Sequence, residues 1–264
     1  MDVEGELINT GRGVLWQEFP YYEEQISGPD ADIYWKFKWV YTSPPRKVGE
    51  AGVLWDPINI GEKGRTAYMY LVGQRRIKLA PEVAFDTPTT QAAGYDIYDE
   101  NWIFNGSMER YHFKLIGKQE MYVPYNCYKA VYNTTKKQIF GAKHLNPGVI
   151  RWELHRVWVV EGTLRPGKRH IYQRRVIYID EDSWTALAGE AYDSRGTLFK
   201  VHYLYLTQSY DMTAPCTVTF SLYDVVSDIY ALIHWPGEGG YIRQAKVRPI
   251  RDWAPAQLAG TGIR

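Results

Sequence analysis

Several things are scarce in this sequence, and each scarcity removes a class of protein. Its 264 residues include two cysteines, Cys127 and Cys216. Two thiols are too few for a disulfide scaffold, and sequence leaves open whether they form one bridge. There is no CxxC and no Cys/His cluster at zinc spacing. A charge excess is missing too: 31 Lys and Arg face 30 Asp and Glu, for a net charge of +1. Phosphate binding needs a basic excess, so nucleic acid is not an expected partner. No hydrophobic run approaches the ~20 residues of a membrane span. GxSxG, HExxH, a P-loop and a GxGxxG leading into a helix are all missing. The six histidines are scattered along the chain. No catalytic residue, metal or cofactor is therefore expected. The start, MDVEGELINT, does not read as a signal peptide, which fits either a cytoplasmic protein or a trimmed one.

What is abundant is aromatic: 10 Trp, 22 Tyr and 8 Phe. Such residues favour sheets and places where a ring is dry at one end and wet at the other. YWKFKWVYT (34–42) alternates, with Trp35, Phe37, Trp39 and Tyr41 on one face and Tyr34, Lys36, Lys38 and Val40 on the other. That pattern predicts a half-buried strand with an aromatic face. Strands are also read at 52–57, 65–72 and 112–124. From about 150 to 234 nearly all is strand, in runs joined by RPGK, DEDS and DSRG. Such short turns imply an antiparallel meander. GRGVLWQEFPYYEEQ (11–25) reads as a short helix that Pro20 interrupts.

Residues 81–108 differ. They mix Pro, Thr, Asp and aromatics without a period, apart from one helical turn near YDENWIF. A long irregular segment within a compact domain is usually functional or disordered, and its aromatics argue against disorder. With no clean linker, the chain reads as one mainly β domain over 1–264. Residues 1–31 form an N-terminal extension and 235–264 a tail of coil or short helix.

Two-residue turns at Pro166-Gly167, Glu181-Asp182 and Ser194-Arg195 allow the strand faces to be assigned. One face collects Trp152, Leu154, Arg156, Trp158 and Val160; then Arg175, Ile177 and Ile179; then Trp184, Ala186, Ala188 and Glu190; then Val201, Tyr203 and Tyr205. In this register Trp158 opposes Arg175, Ala186 opposes Tyr203 and Ala188 opposes Val201. The other face, with Arg151, Glu153, His155, Arg174, Lys200 and His202, is more polar. The charges on the apolar face allow two readings. Glu190 and the arginines either pair inside an ordinary core, or an Arg orients the polar end of a ligand in an apolar cavity. A one-residue slip would exchange the faces. His155 and Glu153 share a strand face, as a surface salt bridge does. The acidic turn Asp180-Glu181-Asp182 reads as a solvated hairpin tip, with too few ligands for calcium.

HLNPGVIRWELHRVWVVEGTLRPGKRHIYQRRVIYIDEDSW (144–184) resembles a bacterial family known as a domain of unknown function. Members are described as outer-membrane lipoprotein-sorting-like and are similar to the LolA/LolB group. PPRKVGEAGVLWDP (44–57), YLVGQRRIKLAPEVAFDTP (70–88), FNGSMERYHFKLIGKQEMYVPYN (104–126) and DWAPAQLAGTGIR (252–264) carry the same likeness. The resemblance implies a strongly curved antiparallel sheet, an incomplete barrel with few short helices and a long loop over its open side. It also implies a periplasmic location, with a signal peptide removed or trimmed. Relatives tend to be encoded beside resistance-nodulation-division exporters and outer-membrane proteins.

Together these lines lead to an expected non-enzymatic carrier or chaperone for a lipid, lipoprotein acyl chain or other hydrophobic molecule. Its binding residues would be Trp152, Leu154, Arg156, Trp158, Arg175, Ile177, Trp184, Tyr203 and Tyr205. Phe85, Tyr95, Tyr98, Trp102 and Phe104 would form a lid or plug. The alternative is an interaction module with a filled core that meets an exporter or outer-membrane protein.

Overall fold

The structure is a computed structural model and describes residues 1–2, 4–23, 28–89 and 92–259. The chain divides into two compact units, where the sequence shows no linker. One comprises 9–87 and 245–264, the other 1–8 and 88–244. The segment read as a single loop, 81–108, straddles this division, so Phe85 belongs to the first unit and the other candidate lid residues to the second.

In the first unit, β1 (Arg12–Glu18), β2 (Ile33–Ser43), β3 (Ala51–Pro57), β4 (Thr66–Leu71) and β5 (Arg76–Leu79) form an antiparallel sheet in chain order. A one-turn helix, α1 (Ile60–Lys63), joins β3 to β4. The helix expected near 11–25 is instead strand β1, paired along its length with β2, followed by a 3-10 turn that starts at Pro20. Pairing with a neighbouring strand overrides a weak local signal.

Strand β2 alternates as its sequence predicts, but both faces are buried. Its aromatic side forms a ladder, with Trp35–Phe37 and Phe37–Trp39 ring centroids 5.4 and 5.5 Å apart. On its other side Lys36 and Lys38 are only 3% and 4% exposed. Lys36 is paired with Glu18 at 3.1 Å and with Asp30. Lys38 donates to the carbonyl of Asp252 at 2.8 Å. Burial, aided by the charge of Arg248, lowers the Lys38 pKa. Buried cations need such partners. The C-terminal segment supplies cover for this side through Trp253 and Leu258, packed with Val40, Ala51 and Val53.

The second unit holds β6 (Tyr111–Pro124), β7 (Trp152–Leu164), β8 (Arg174–Asp180), β9 (Ala186–Tyr192) and β10 (Leu198–Leu204). A two-stranded ribbon, β11 (Thr207–Ser209) and β12 (Ala214–Cys216), leads to β13 (Phe220–Asp224) and β14 (Ile229–Ile233). These strands, apart from the ribbon, form an antiparallel sheet in the order β14-β13-β10-β9-β8-β7-β6, the expected meander. Two short helices follow β6: α2 (Tyr128–Tyr132) and α3 (Lys136–Ile139). A capping box between Thr135 and Gln138 starts α3.

Residues from α2, α3 and the stretch to Ile150 pack with Tyr203, Tyr205, Tyr223 and Tyr230. The sheet residues of that cluster are thus covered by Cys127, Ala130, Val131 and Ile139. Cys127 and Cys216 are free and buried. Burial pushes the Cys127 thiol up to about 12.

Candidate ligand-binding face

The observed register fixes the face on which Arg175 stands. Gly162, Arg175, Ala191, Lys200 and Asp224 lie directly opposite one another on successive strands. The next row is Val160, Ile177, Gly189, His202 and Leu222. Side chains in these two rows share one side of the sheet. Arg175 and Ile177 therefore stand with Lys200 and His202, and not with Ala188, Glu190 and Tyr203. The expected faces are exchanged between β8 and β9, where a bulge lies between Tyr178 and Ile179. The pairs differ in detail as well. Trp158 opposes Ile179, Ala188 opposes Tyr203 and Glu190 opposes Val201. The cation over the Trp158 ring is Lys118, 4.0 Å from its centroid.

Most of this face is covered by the irregular segment 92–108. Ala92 and Ile103 are buried with Ile177, Leu187, Leu204, Phe220, Leu222 and Ile233, and Trp102 and Phe104 pack alongside. Trp102 lies 5.9 Å from Phe220 and donates from Nε1 to the carbonyl of Val218 at 3.1 Å. Phe104 meets Phe113 edge-on at 5.5 Å. The contact is close: a Cβ on Gly189 would lie 2.6 Å from Ile103 Cγ2. Tyr98 is half-buried and Tyr95 is exposed. Trp102 and Ile103 both have positive φ, 53° and 76°. For a β-branched residue such as Ile103 that is a strained conformation.

Two adjacent acids hold the segment in place. Arg175 donates to Asp99 Oδ1 at 2.5 Å and to the Asp99 carbonyl at 3.3 Å. His170 Nε2 lies 3.0 Å from Asp99 Oδ2. Glu100 is met by Lys200 Nζ at 3.1 Å, by His202 Nε2 at 3.1 Å and by the Tyr172 hydroxyl. Lys200 also donates to the Tyr95 carbonyl. Both carboxylates, Arg175, Lys200 and His202 are at most 4% exposed. Burial by itself would raise the Asp99 pKa, but the charges and hydrogen bonds of Arg175 and His170 together outweigh it and hold that pKa below the usual value. For Glu100 burial is likewise outweighed, by the hydrogen bond and charge of His202 and by Lys200, and the pKa falls to about 2. Arg175 thus forms no ion pair with Glu190, and its Nε donates to the Tyr111 hydroxyl of β6 at 3.3 Å; Glu190 accepts from Tyr178 and Tyr192. A small recess remains beside the clamp, lined by Ile103, Arg175, Ile177, Gly189 and His202.

Alternation along β7 continues the Val160 side into Trp158, Arg156, Leu154 and Trp152. There the sheet is open. Trp152 is exposed, as are Leu154 and Tyr122, and Tyr122 pairs with Leu154 across β6 and β7. Trp184, at the β8–β9 turn, is 72% exposed and stacks on Trp158 at 6.4 Å. Arg156 and Lys118 share the Glu181 carboxylate, each at 2.5 Å. Tyr203 meets Trp152 edge-on at 5.5 Å, and Tyr205 is buried with the helix cluster. The candidate residues therefore fall into a clamped pair, an open aromatic strip and one core tyrosine.

The acidic turn is less solvated than expected. Asp180 is fully buried; its Oδ1 meets His155 Nδ1 at 2.7 Å, and its Oδ2 accepts from the Ser183 amide and hydroxyl. His155 lies 3.6 Å from Glu153. His155, Asp180 and Asp182 have ligand atoms within 4.8 Å of one another and could hold a metal ion, though both Asp180 oxygens are already engaged. Among the described residues no helix is long and apolar enough to cross a membrane.

This is a mainly β, antiparallel architecture with short helices, and it has relatives among solved structures. A Vibrio parahaemolyticus domain described as outer-membrane lipoprotein-sorting superposes with a TM-score of 0.58 at 15% identity, over 88% of this chain and 80% of that one. A protein of the DUF1329 family from Desulfovibrio piger gives 0.58 at 13% identity, with the same shares. The sequence places the chain more narrowly. It belongs to the family described as "Protein of unknown function (DUF1329)", whose profile matches residues 2–259 and so spans both units. A Pseudomonas aeruginosa relative, "Uncharacterized protein PA3922", is 38% identical over 236 residues. That match takes in 89% of this chain but only 52% of the relative, so the chain spans about half of its relative's length.

Proposed function

We propose that the protein is a non-enzymatic periplasmic carrier that takes the apolar part of a lipid-like molecule onto the clamped face of the seven-stranded sheet. One observation carries this reading. An apolar sheet face is covered by an irregular, strained segment that is fastened at one place by ion pairs, where an ordinary core would be covered by a helix or second sheet. Moving residues 92–108 aside would uncover Ile177, Leu187, Leu204, Phe220 and Leu222. Apolar burial would then supply affinity at about 25 cal/mol per Å². The fold shared with a lipoprotein-sorting domain supports a carrier role.

Tying the segment down tests it. Ile103→Cys with Gly189→Cys places two thiols where Ile103 and Gly189 now touch. The reduced protein is expected to bind a long acyl chain, read by titration calorimetry. The oxidised protein should lose that binding. Equal binding in both states would place the ligand elsewhere.

The exposed strip favours a second reading, an interaction module. Exposed apolar patches mark contact surfaces, and Leu154→Asp would then release a membrane-protein partner captured by crosslinking. A lipid ligand and a protein partner give different losses, so the two variants separate the readings.

A further inference from the structure

We infer that Asp99 and Glu100 occupy the place of an anionic headgroup, and that the ligand is a single-chain amphiphile ending in a carboxylate or phosphate monoester. This rests on the carrier reading above and adds the chemical class of the ligand.

The argument starts from the sheet with the covering segment left aside. That face would then present Arg175 on β8 and Lys200 and His202 on β10, across Ala191 and Gly189 of β9, with Ile177, Leu204 and Leu222 beyond them. An apolar sheet face gains nothing from two obligate cations, because burying an unpaired charge is costly. Such cations persist inside a protein when an anion meets them. The sheet's own carboxylate in this row, Asp224 opposite Lys200, accepts from the amides of Val226 and Ser227, and the anions that pair with Arg175, Lys200 and His202 are two adjacent carboxylates on the covering segment. Arg175 has the forked geometry that suits a carboxylate or phosphate. Tyr111 and Tyr172 flank it, with its guanidinium 5.2 and 4.8 Å from their ring centroids. It is therefore held in place independently of Asp99. The segment thus acts as a built-in competitor: its carboxylates take the cations, and Ala92, Ile103 and Phe104 take the apolar floor.

Three ligands of one chain length separate the possibilities: hexadecanoate, hexadecyl phosphate and neutral monohexadecanoylglycerol, delivered from cyclodextrin and measured by titration calorimetry. The full chain is expected to bind both anions at least tenfold more tightly than the neutral lipid. Glu100→Gln should widen that ratio, because the competing carboxylate is gone and Lys200 stays. Two charge-balanced double variants keep the buried site neutral and the protein folded: Asp99→Asn with Arg175→Gln, and Glu100→Gln with Lys200→Met. Each should bring the ratio towards one while neutral binding persists. A wild-type ratio near one, or a ratio unchanged in both double variants, overturns the headgroup assignment and leaves the carrier reading standing. No binding of any of the three, by wild type or Glu100→Gln, overturns both.

Discussion

Replacing Glu100 with Gln tests the clamp through its proton chemistry. The Glu100 carboxyl has a pKa of about 2 in the folded chain, against an ordinary value of 4.5. Its unfolded form therefore binds a proton first as the pH falls. A depressed folded pKa gives stability that is fully present above the unfolded value and is lost as the pH drops towards the folded one. At 1.36 kcal/mol per pKa unit, this shift corresponds to about 3 kcal/mol. That agrees in size with the cost of removing one partner from a buried ion pair, roughly 3–5 kcal/mol. Glu100→Gln should therefore be about 3 kcal/mol less stable than wild type near pH 6.

The difference should shrink below pH 4.5 and nearly vanish by pH 2. Urea unfolding at a series of pH values, with the slope m unchanged, reads it directly. Other carboxylates titrate in the same range in both proteins, so the wild-type-minus-variant difference isolates Glu100. A difference that stays constant from pH 6 to pH 2.5 would refute the reasoning, because the stabilisation would then owe nothing to the ionised carboxylate. Hydrogen exchange adds a local check. Residues 92–108 should lose protection in the variant before β9 and β10 do.

A second acid response should appear at milder pH. Complete burial lowers the His234 pKa to about 4 from 6.5, so stability falls between pH 6.5 and 4, and His234→Asn, which tolerates the positive φ there, should flatten that part of the urea profile. In the five-stranded unit, a Cβ on Gly52 would sit 2.2 Å from the Trp39 ring; Gly52→Val should lower stability by about 1–3 kcal/mol, with partial recovery when Trp39→Leu is added. Across a series of acyl ligands, calorimetry should show affinity rising about fourfold per methylene, the factor given by ~0.8 kcal/mol per buried CH₂.

The meander was legible because its turns are short and its strands alternate; β6 to β10 stand close to where the patterns put them. Face assignment failed at one joint. Between Arg175 and Tyr203 the reading depends on the β8–β9 and β9–β10 registers. The bulge after Tyr178 removes a residue of phase, and no sequence pattern marks it. The pattern therefore puts Lys200 and His202 on the more polar face, away from Arg175, when they stand with it as ion-paired core. Their partners were missed for a related reason. Asp99 and Glu100 lie in a segment with no period, so nothing assigns them a face; the usable signal was two adjacent acids beside Trp102 and Phe104. Lys36 and Lys38 misled in the same direction, since alternation reports which side a residue takes and not whether another segment covers that side. The helices α2 and α3 span five and four residues, too few for a 3.6-residue period to show.

A closed binding face can still support useful affinity. A ligand that needs the segment moved has its intrinsic affinity reduced by the open fraction. If opening costs about 4 kcal/mol, close to the Glu100 contribution alone, that fraction is on the order of 10⁻³. Fifteen buried methylenes return roughly 12 kcal/mol, leaving about 8 kcal/mol, or micromolar binding before ordering costs. Eight methylenes return roughly 6 kcal/mol and leave too little to detect. The same clamp therefore rejects short chains and admits long ones without any pore or size filter. A chain lying only on the exposed strip of Trp152, Leu154 and Trp184 would behave differently. It would bury part of each methylene, need no opening, and show a shallow slope with no threshold. The clamped face and the strip thus make opposite demands on the same titration series.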